Sequence, residues 1–233
     1  MLRYEDLTNK LEIRLHDPDF GEERMKKKAV TFFVDKHCGG DFALTYVADI
    51  SENEELMKEL NVYRHGYRCY LAFDSTAMHY FGIDHAQLHN DAIAANVRRG
   101  ATLRSVNSII LHGFNLPNLL HSGHHAAEFD IPLFMLSTLS NHNGASLIIH
   151  DQIRESIGEF MQGDYYALPS SVHEWMIIPY SDDFTIDELT DLVKSANEEL
   201  FVDNPEDLLS DKVQWCSHDG KIWMNAKAHE KEL

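Results

Sequence analysis

The chain has 233 residues, enough for one large domain or two small ones, and its 44 % hydrophobic content predicts an ordinary globular core. Its net charge of −18, from 38 acidic and 20 basic residues, argues against direct nucleic-acid binding because phosphate backbones would be repelled. Three widely spaced cysteines (Cys38, Cys69 and Cys216) form neither a disulfide framework nor a zinc motif, and no apolar leader or membrane-length apolar run is present. These features predict a cytoplasmic protein that does not span a membrane.

The first hundred residues predict helices interspersed with strands. Helices are expected at 22–34 and 51–60, strands at 42–50 and 67–73, and two further helices between 74 and 97. Ser51 and Glu54 form a capping box at the start of the second helix. Asp84 is expected to cap the last helix, with a buried stripe formed by Leu88, Ala92 and Ala95.

The remaining residues predict a strand-rich half that follows an irregular, histidine-rich segment at 101–130. Within that segment, 106–111 fits either a strand or a helix end. Asn143–Gly144 is a strong turn signal. The later predicted elements are strands at 132–139, 145–150, 165–168 and 174–179, helices at 151–161 and 185–200, and a hairpin at 212–224.

This order of elements predicts an α+β fold, with a mixed or antiparallel sheet flanked by helices. Residues 87–96 and 188–197 share three identities in ten positions, which suggests two related α/β halves. We therefore expect a single compact domain over 1–233, with halves at 1–100 and 131–225 joined by the segment 101–130.

The most conspicuous polar cluster is histidine-rich. His121, His124 and His125 lie within five residues, and Glu128 follows them. Imidazoles spaced in this way can bind zinc or nickel, but a solvated polar loop explains the same pattern. Neither a glycine-rich phosphate loop nor an EF-hand pattern occurs, so no cofactor is predicted.

A second candidate site lies at a predicted strand junction. Ser170, Ser171, His173 and Glu174 are residue types found in catalytic triads. Strand alternation would place Ser171 with His173 on one face and Ser170 with Glu174 on the other. No G-x-S-x-G elbow precedes them, and the serines could instead satisfy backbone groups at a bend.

Several short motifs in the second half carry a family resemblance. They are NHNGA at 141–145, LPSSVHE at 168–174, DEL at 187–189 and LSD at 209–211. Upstream, LAFDSTAMHYFGIDHAQLHNDAIAANV at 71–97 has Phe81 where the related pattern usually has tryptophan. Over about 40–224 the chain resembles the bacterial domain of unknown function 5688 family, common in gut Firmicutes, and its layout is more distantly similar to the YtpQ-like proteins. The resemblance implies an α+β fold and no particular reaction, and it favours Ser170, Ser171, His173, Glu174 and Asn143 as a ligand-binding patch.

Three functional hypotheses follow. The first is a non-enzymatic binding or regulatory module for a protein partner or small ligand. The second is a hydrolase or metal-dependent enzyme that uses His173 with Ser171 or Glu174, or the cluster His121 to His125. The third is an inhibitor or sponge from a mobile element that acts through the acidic surface.

Overall fold

A computed structural model describes residues 3–18, 42–51, 60, 62–65, 68–200 and 207–231. These residues form two compact units, divided between Arg99 and Gly100. The helix predicted at 22–34 and nearly all of the one predicted at 51–60 lie outside the described residues. That the chain forms a single compact domain, and that its two halves are related, stay predictions.

The first unit contains a four-stranded antiparallel sheet with strand order β1-β2-β4-β3. Its elements are β1 (Leu11–His16), β2 (Ala43–Asp49), β3 (Val62–His65), β4 (Arg68–Ala72), α1 (Ser75–Phe81) and α2 (His85–Arg98). As predicted, the Asp84 side chain caps α2, where it accepts a hydrogen bond from the backbone N–H of Gln87. Leu88, Ala92 and Ala95 are buried, which confirms the predicted stripe.

The second unit contains a six-stranded antiparallel sheet with strand order β10-β9-β7-β8-β6-β5. Its elements are β5 (Ala101–Ser105), α3 (Val106–His112), β6 (Phe134–Thr138), α4 (Asp151–Met161), β7 (Tyr165–Ser171), β8 (Glu174–Pro179), α5 (Ile186–Leu200), β9 (Gln214–Cys216), β10 (Trp223–Asn225) and α6 (Ala226–Glu230). The predicted α+β class, with sheets flanked by helices, is confirmed.

The central strands of this six-stranded sheet are covered on both faces. On one face, Leu189 and Val193 of α5 pack with Trp215 of β9 in a buried apolar cluster. On the other face, the ring of Phe134 packs edge-on against Phe160 of α4, with centroids 4.9 Å apart. The alternation of strand side chains produces this two-sided core, because successive residues point to opposite faces.

The structure corrects two expectations in this unit. The expected strand at 145–150 is a 3-10 helix, Gly144–Ile149, in which five successive residues are buried. A short apolar run does not distinguish a strand from a buried helical turn, so tertiary packing decided between them. The segment 101–130 is not irregular throughout, because it begins with β5 and α3. Within the described ranges, no helix has both the length and the apolarity to cross a bilayer.

Candidate functional site

The polar motif at 168–174 forms the tight junction between β7 and β8. Both serine hydroxyls donate to Oε1 of Glu174, from Ser170 at 3.1 Å and from Ser171 at 2.6 Å. Ser171 Oγ also accepts a hydrogen bond from the backbone N–H of His173 at 3.0 Å. Simple alternation was wrong here, because the register shifts between Pro169 and Ser171 and directs both hydroxyls to Glu174.

His173 is held from both sides of its ring. Nδ1 accepts a hydrogen bond from the backbone N–H of Asn143 at 3.0 Å, and Nε2 lies 3.5 Å from Oδ1 of Asp207. The ring also stacks on His142, with centroids 4.5 Å apart. An Nδ1 that accepts a hydrogen bond carries its lone pair, so the proton of the neutral imidazole is on Nε2. The Nδ1 lone pair, which a general base would need, is therefore already engaged.

The turn at Asn143–Gly144 docks directly onto this junction. Gly144 donates its N–H to the carbonyl of His173 at 3.0 Å, and the same carbonyl accepts from Ser137 Oγ at 2.7 Å. A Cβ on Gly144 would lie only 2.5 Å from that carbonyl oxygen, so the close approach requires glycine. Buried Trp175 completes the contact by donating Nε1–H to the carbonyl of Ala145 at 2.8 Å. Two sequence motifs about 30 residues apart thus form one hydrogen-bonded joint.

The polar groups of this joint bond mainly to one another. Each named hydroxyl, amide and ring nitrogen has a protein partner, and Ser171 and Asn143 are buried. Buried polar groups that satisfy one another fix a single local geometry. The patch predicted from the sequence (Ser170, Ser171, His173, Glu174 and Asn143) is therefore brought together in space, and we call this contact between a turn and a β-hairpin the clamp.

The histidine cluster is arranged differently. The imidazole Nδ1 of His124 lies 2.7 Å from Glu128 Oε2, and the backbone N–H of His125 donates to the other carboxylate oxygen at 3.0 Å. The hydrogen bond from His124 lowers the pKa of Glu128 from its usual value. In the part of the chain that the structure describes, His121, His124 and His125 do not converge with one another or with other ligand types into a three-ligand group. The metal hypothesis for these histidines stays a prediction.

A groove beside this cluster has a volume of about 430 Å³. Its lining mixes apolar and polar side chains, among them Leu116, Leu119, His124, Glu128 and Phe129. The groove is open to solvent and is not connected by any described hydrogen bond to the clamp at His173.

Sequence reasoning missed the surface of helix α3. None of the seven residues of α3 is buried. Ile110 is 76 % exposed and Leu111 is 66 % exposed, and Phe114, which follows the helix, is 52 % exposed. The sequence does indicate an uncharged surface here, because residues 105–127 contain no Asp, Glu, Lys or Arg in an otherwise strongly charged chain.

Comparison with known proteins places the chain by sequence. The family of unknown function DUF5688 matches residues 40–217, which is more than half of the chain. The chain belongs to the DUF5688 family. The DUF5688 match contains all four motifs of the second half, including both segments of the clamp. No curated protein and no solved structure matches the chain.

Proposed function

We propose that this DUF5688 protein is a non-enzymatic binding module that holds a basic protein partner against the exposed apolar surface of α3. The observation that supports this proposal is the combination of Ile110, Leu111 and Phe114, each more than half exposed. The backbone N–H of Val106 bonds to the carbonyl of Leu133, which brings the segment of Ile131, itself 54 % exposed, alongside the start of the helix. We refer to Ile110, Leu111, Phe114 and Ile131 as the α3 surface.

An exposed apolar surface of this kind favours a protein contact. Single exposed apolar residues are normal, but several grouped around a short helix mark an interaction site in soluble proteins. A helix that buries none of its own residues contributes little to the core of its unit. Its apolar side chains are therefore available to a partner.

The charge of the second unit indicates the kind of partner. Residues 100–233 hold 21 of the 38 acidic side chains and seven of the 20 basic ones, a net charge of −14. An uncharged apolar centre within such a unit is complementary to a partner with an apolar centre and a basic rim. Self-association through the same surface would bring two strongly acidic copies together, so a basic partner fits better than a second copy.

The geometry of the clamp supports a non-enzymatic role. The Ser171 hydroxyl donates to Glu174, and the Nδ1 lone pair of His173 accepts from a backbone amide. A hydrolytic triad needs instead a serine hydroxyl that donates to an imidazole nitrogen. The Ser–His–Glu motif is better explained as a support for the fold of the second unit.

The proposal is tested by comparing partner capture by wild-type protein, Leu111→Asp and a matched control, Leu192→Asp. Leu192 lies on α5 of the same unit and is 59 % exposed, so its replacement adds the same charge at a comparable exposure. Tagged proteins are incubated with lysate of cells that carry the gene, and captured proteins are identified by mass spectrometry. A partner that is retained by Leu192→Asp and lost by Leu111→Asp is then purified and titrated.

We expect that partner to be basic and to bind Leu111→Asp about 30-fold more weakly than wild type, which corresponds to about 2 kcal/mol at a central interface residue. Equal binding of Leu111→Asp and wild type would contradict the proposal. Capture that is insensitive to both substitutions but abolished by salt would instead favour an inhibitor or sponge that acts through its acidic surface.

A further inference from the structure

The groove beside the histidine cluster has an apolar wall that the core of the second unit supports. The apolar residues that line it are Leu116, Pro117, Leu119 and Phe129. The ring of Phe129 packs edge-on against buried Phe134, with centroids 5.2 Å apart, which fixes one side of the groove. Its volume of about 430 Å³ falls within the roughly 300–1,000 Å³ of small-molecule sites. The groove therefore has room for the apolar body of a small organic molecule.

Hydrogen bonds within the protein hold the polar part of the lining in place. Ser105 Oγ accepts the backbone N–H of Ser108 at 3.3 Å. Ser122 Oγ accepts the backbone N–H of His124 at 3.2 Å and donates to a carbonyl three residues before it at 3.0 Å. These serine oxygens stabilise the backbone around the groove. The ionisable residues of the lining, His124 and Glu128, are then the groups that decide which charge a ligand carries.

Glu128 is a negative charge held in place at the groove. Its Oε1 accepts the backbone N–H of His125 at 3.0 Å, and its Oε2 lies 2.7 Å from Nδ1 of His124. The bond from His124, followed by that from His125, lowers the pKa of Glu128, so the carboxylate is charged at neutral pH. Each carboxylate oxygen keeps a further lone pair, and 49 % of the side chain is exposed. A ligand can therefore reach this carboxylate.

His124 orients the carboxylate without having to neutralise it. An ionised carboxylate only accepts hydrogen bonds, so Nδ1 of His124 carries the hydrogen in the 2.7 Å contact. A neutral imidazole can supply that hydrogen as well as an imidazolium can. Whenever the imidazole is neutral, Glu128 keeps its full charge and has no counter-ion among the residues that the structure describes.

The charges around the groove favour a cationic ligand. Of the described residues that line it, none is Lys or Arg, and only Glu128 has a carboxylate. The second unit as a whole carries a net charge of −14. An anion would be repelled by this unit, and a neutral ligand would leave Glu128 without a counter-ion. An ammonium group supplies both a positive charge and N–H donors, which form charge-assisted hydrogen bonds with a carboxylate.

We propose that this groove binds a small organic amine, with its ammonium group at the Glu128 carboxylate and its apolar body against Leu119 and Phe129. His124 is a positioning residue, because it holds the carboxylate by its Nδ1–H. The size of the groove suits one aromatic ring, or an aliphatic body of similar size, on a short chain. The proposal concerns a small molecule, and it does not rest on the protein partner of the α3 surface.

The apolar wall distinguishes Glu128 from the other exposed carboxylates of the second unit. An ion pair in open solvent contributes little, because water and salt screen it. At this groove a ligand also removes apolar surface from water against Leu119 and Phe129. The apolar contact thus supplies affinity, whereas the ion pair selects the charge of the ligand.

Three probes that share a phenyl ring and a short chain test this charge selection. They are 2-phenylethylamine, 2-phenylethanol and 3-phenylpropionate, which are a cation, a neutral molecule and an anion. Each is titrated at constant ionic strength and about pH 8, where imidazoles are normally neutral. The readout is the NMR shift of the methyl groups of Leu116 and Leu119, which line the groove, and of the His125 backbone N–H, which bonds to Glu128.

We expect saturable shifts with the amine and a Kd about tenfold lower than that of the alcohol, as one charge-assisted hydrogen bond would give. The anion should produce no saturable shift. This comparison uses only wild-type protein, so it does not depend on whether a variant folds. Equal affinities for the amine and the alcohol, or shifts with the amine that do not saturate, would overturn the proposal.

Two variants locate the effect. Glu128→Gln removes the charge and keeps an oxygen that can accept the His125 N–H. Its affinity for the amine should fall about tenfold, to that of the alcohol, while its affinity for the alcohol stays unchanged and shows that the groove is intact. Glu198→Gln removes an exposed carboxylate of α5 and should bind the amine as wild type does. An affinity for the amine that is the same in Glu128→Gln and wild type would refute the assignment.

Discussion

Replacing Ser171 by alanine tests the structural interpretation of the clamp at the β7–β8 junction. The substitution removes a 2.6 Å hydrogen bond to the Glu174 carboxylate and also the acceptor of the His173 backbone N–H. Ser171 is only 3 % exposed, so water does not readily replace either contact. A hydrogen bond to a charged group contributes about 1.5–3 kcal/mol, and we expect Ser171→Ala to lower the free energy of unfolding by about 2–3 kcal/mol.

Ser170→Ala is the matched control. Ser170 donates to the same oxygen of Glu174 at the longer distance of 3.1 Å, and it is more exposed than Ser171. We expect Ser170→Ala to lower the free energy of unfolding by less than about 1 kcal/mol. A double-mutant cycle between Ser171→Ala and Glu174→Gln should give a coupling energy of at least about 1 kcal/mol, because the two side chains are in direct contact.

The assay is urea unfolding followed by tryptophan fluorescence. All three tryptophans belong to the second unit and are buried there, so the transition reports the unit that contains the clamp. The slope of the transition should not change, so that a shift in midpoint reports stability alone. The reasoning would be refuted if Ser170→Ala cost as much as Ser171→Ala, or if the cycle showed no coupling. A hydrolytic role would show instead as lost activity without lost stability.

Two further predictions concern the close packing of the clamp and the pH dependence of the first unit. Gly144→Ala should lower the free energy of unfolding by about 1–3 kcal/mol, because its Cβ would meet the His173 carbonyl oxygen at 2.5 Å. By contrast, a Cβ at Gly163 would meet nothing within 4 Å. Gly163→Ala should therefore change the free energy of unfolding by less than about 0.5 kcal/mol in the same fluorescence assay. Burial, followed by the nearby Arg14 charge, lowers the pKa of His16 from its ordinary value of 6.5 to about 3. Between pH 6.5 and pH 3, the histidine therefore takes up a proton in the unfolded chain but not in the folded chain. Stability present above pH 6.5 is therefore lost as the pH falls toward 3, by at most about 1.4 kcal/mol per pH unit. Urea unfolding followed by circular dichroism should show this loss in wild type and a smaller one in His16→Gln, and equal pH slopes in the two proteins would contradict it.

The sequence by itself determined the elements that depend on local patterns. Asp84 is a good helix cap wherever the following residues are helical, and the spacing of Leu88, Ala92 and Ala95 can only form one buried face of a helix. The continuous apolar run from Trp175 to Ile178 likewise predicted β8 at 174–179 as the structure has it. The α+β class followed from these local preferences, because each one can be recognised from residues close together in the sequence.

Only the tertiary structure decided what the polar residues do. The residue types of the 168–174 motif were compatible with a triad, but a one-residue register shift directed Ser171 to Glu174 and left His173 to the backbone of Asn143. A hydrogen bond between residues about 30 positions apart has no local pattern that could announce it. Local propensity fixes helices and strands, whereas the burial and pairing of charge depend on which distant segments meet.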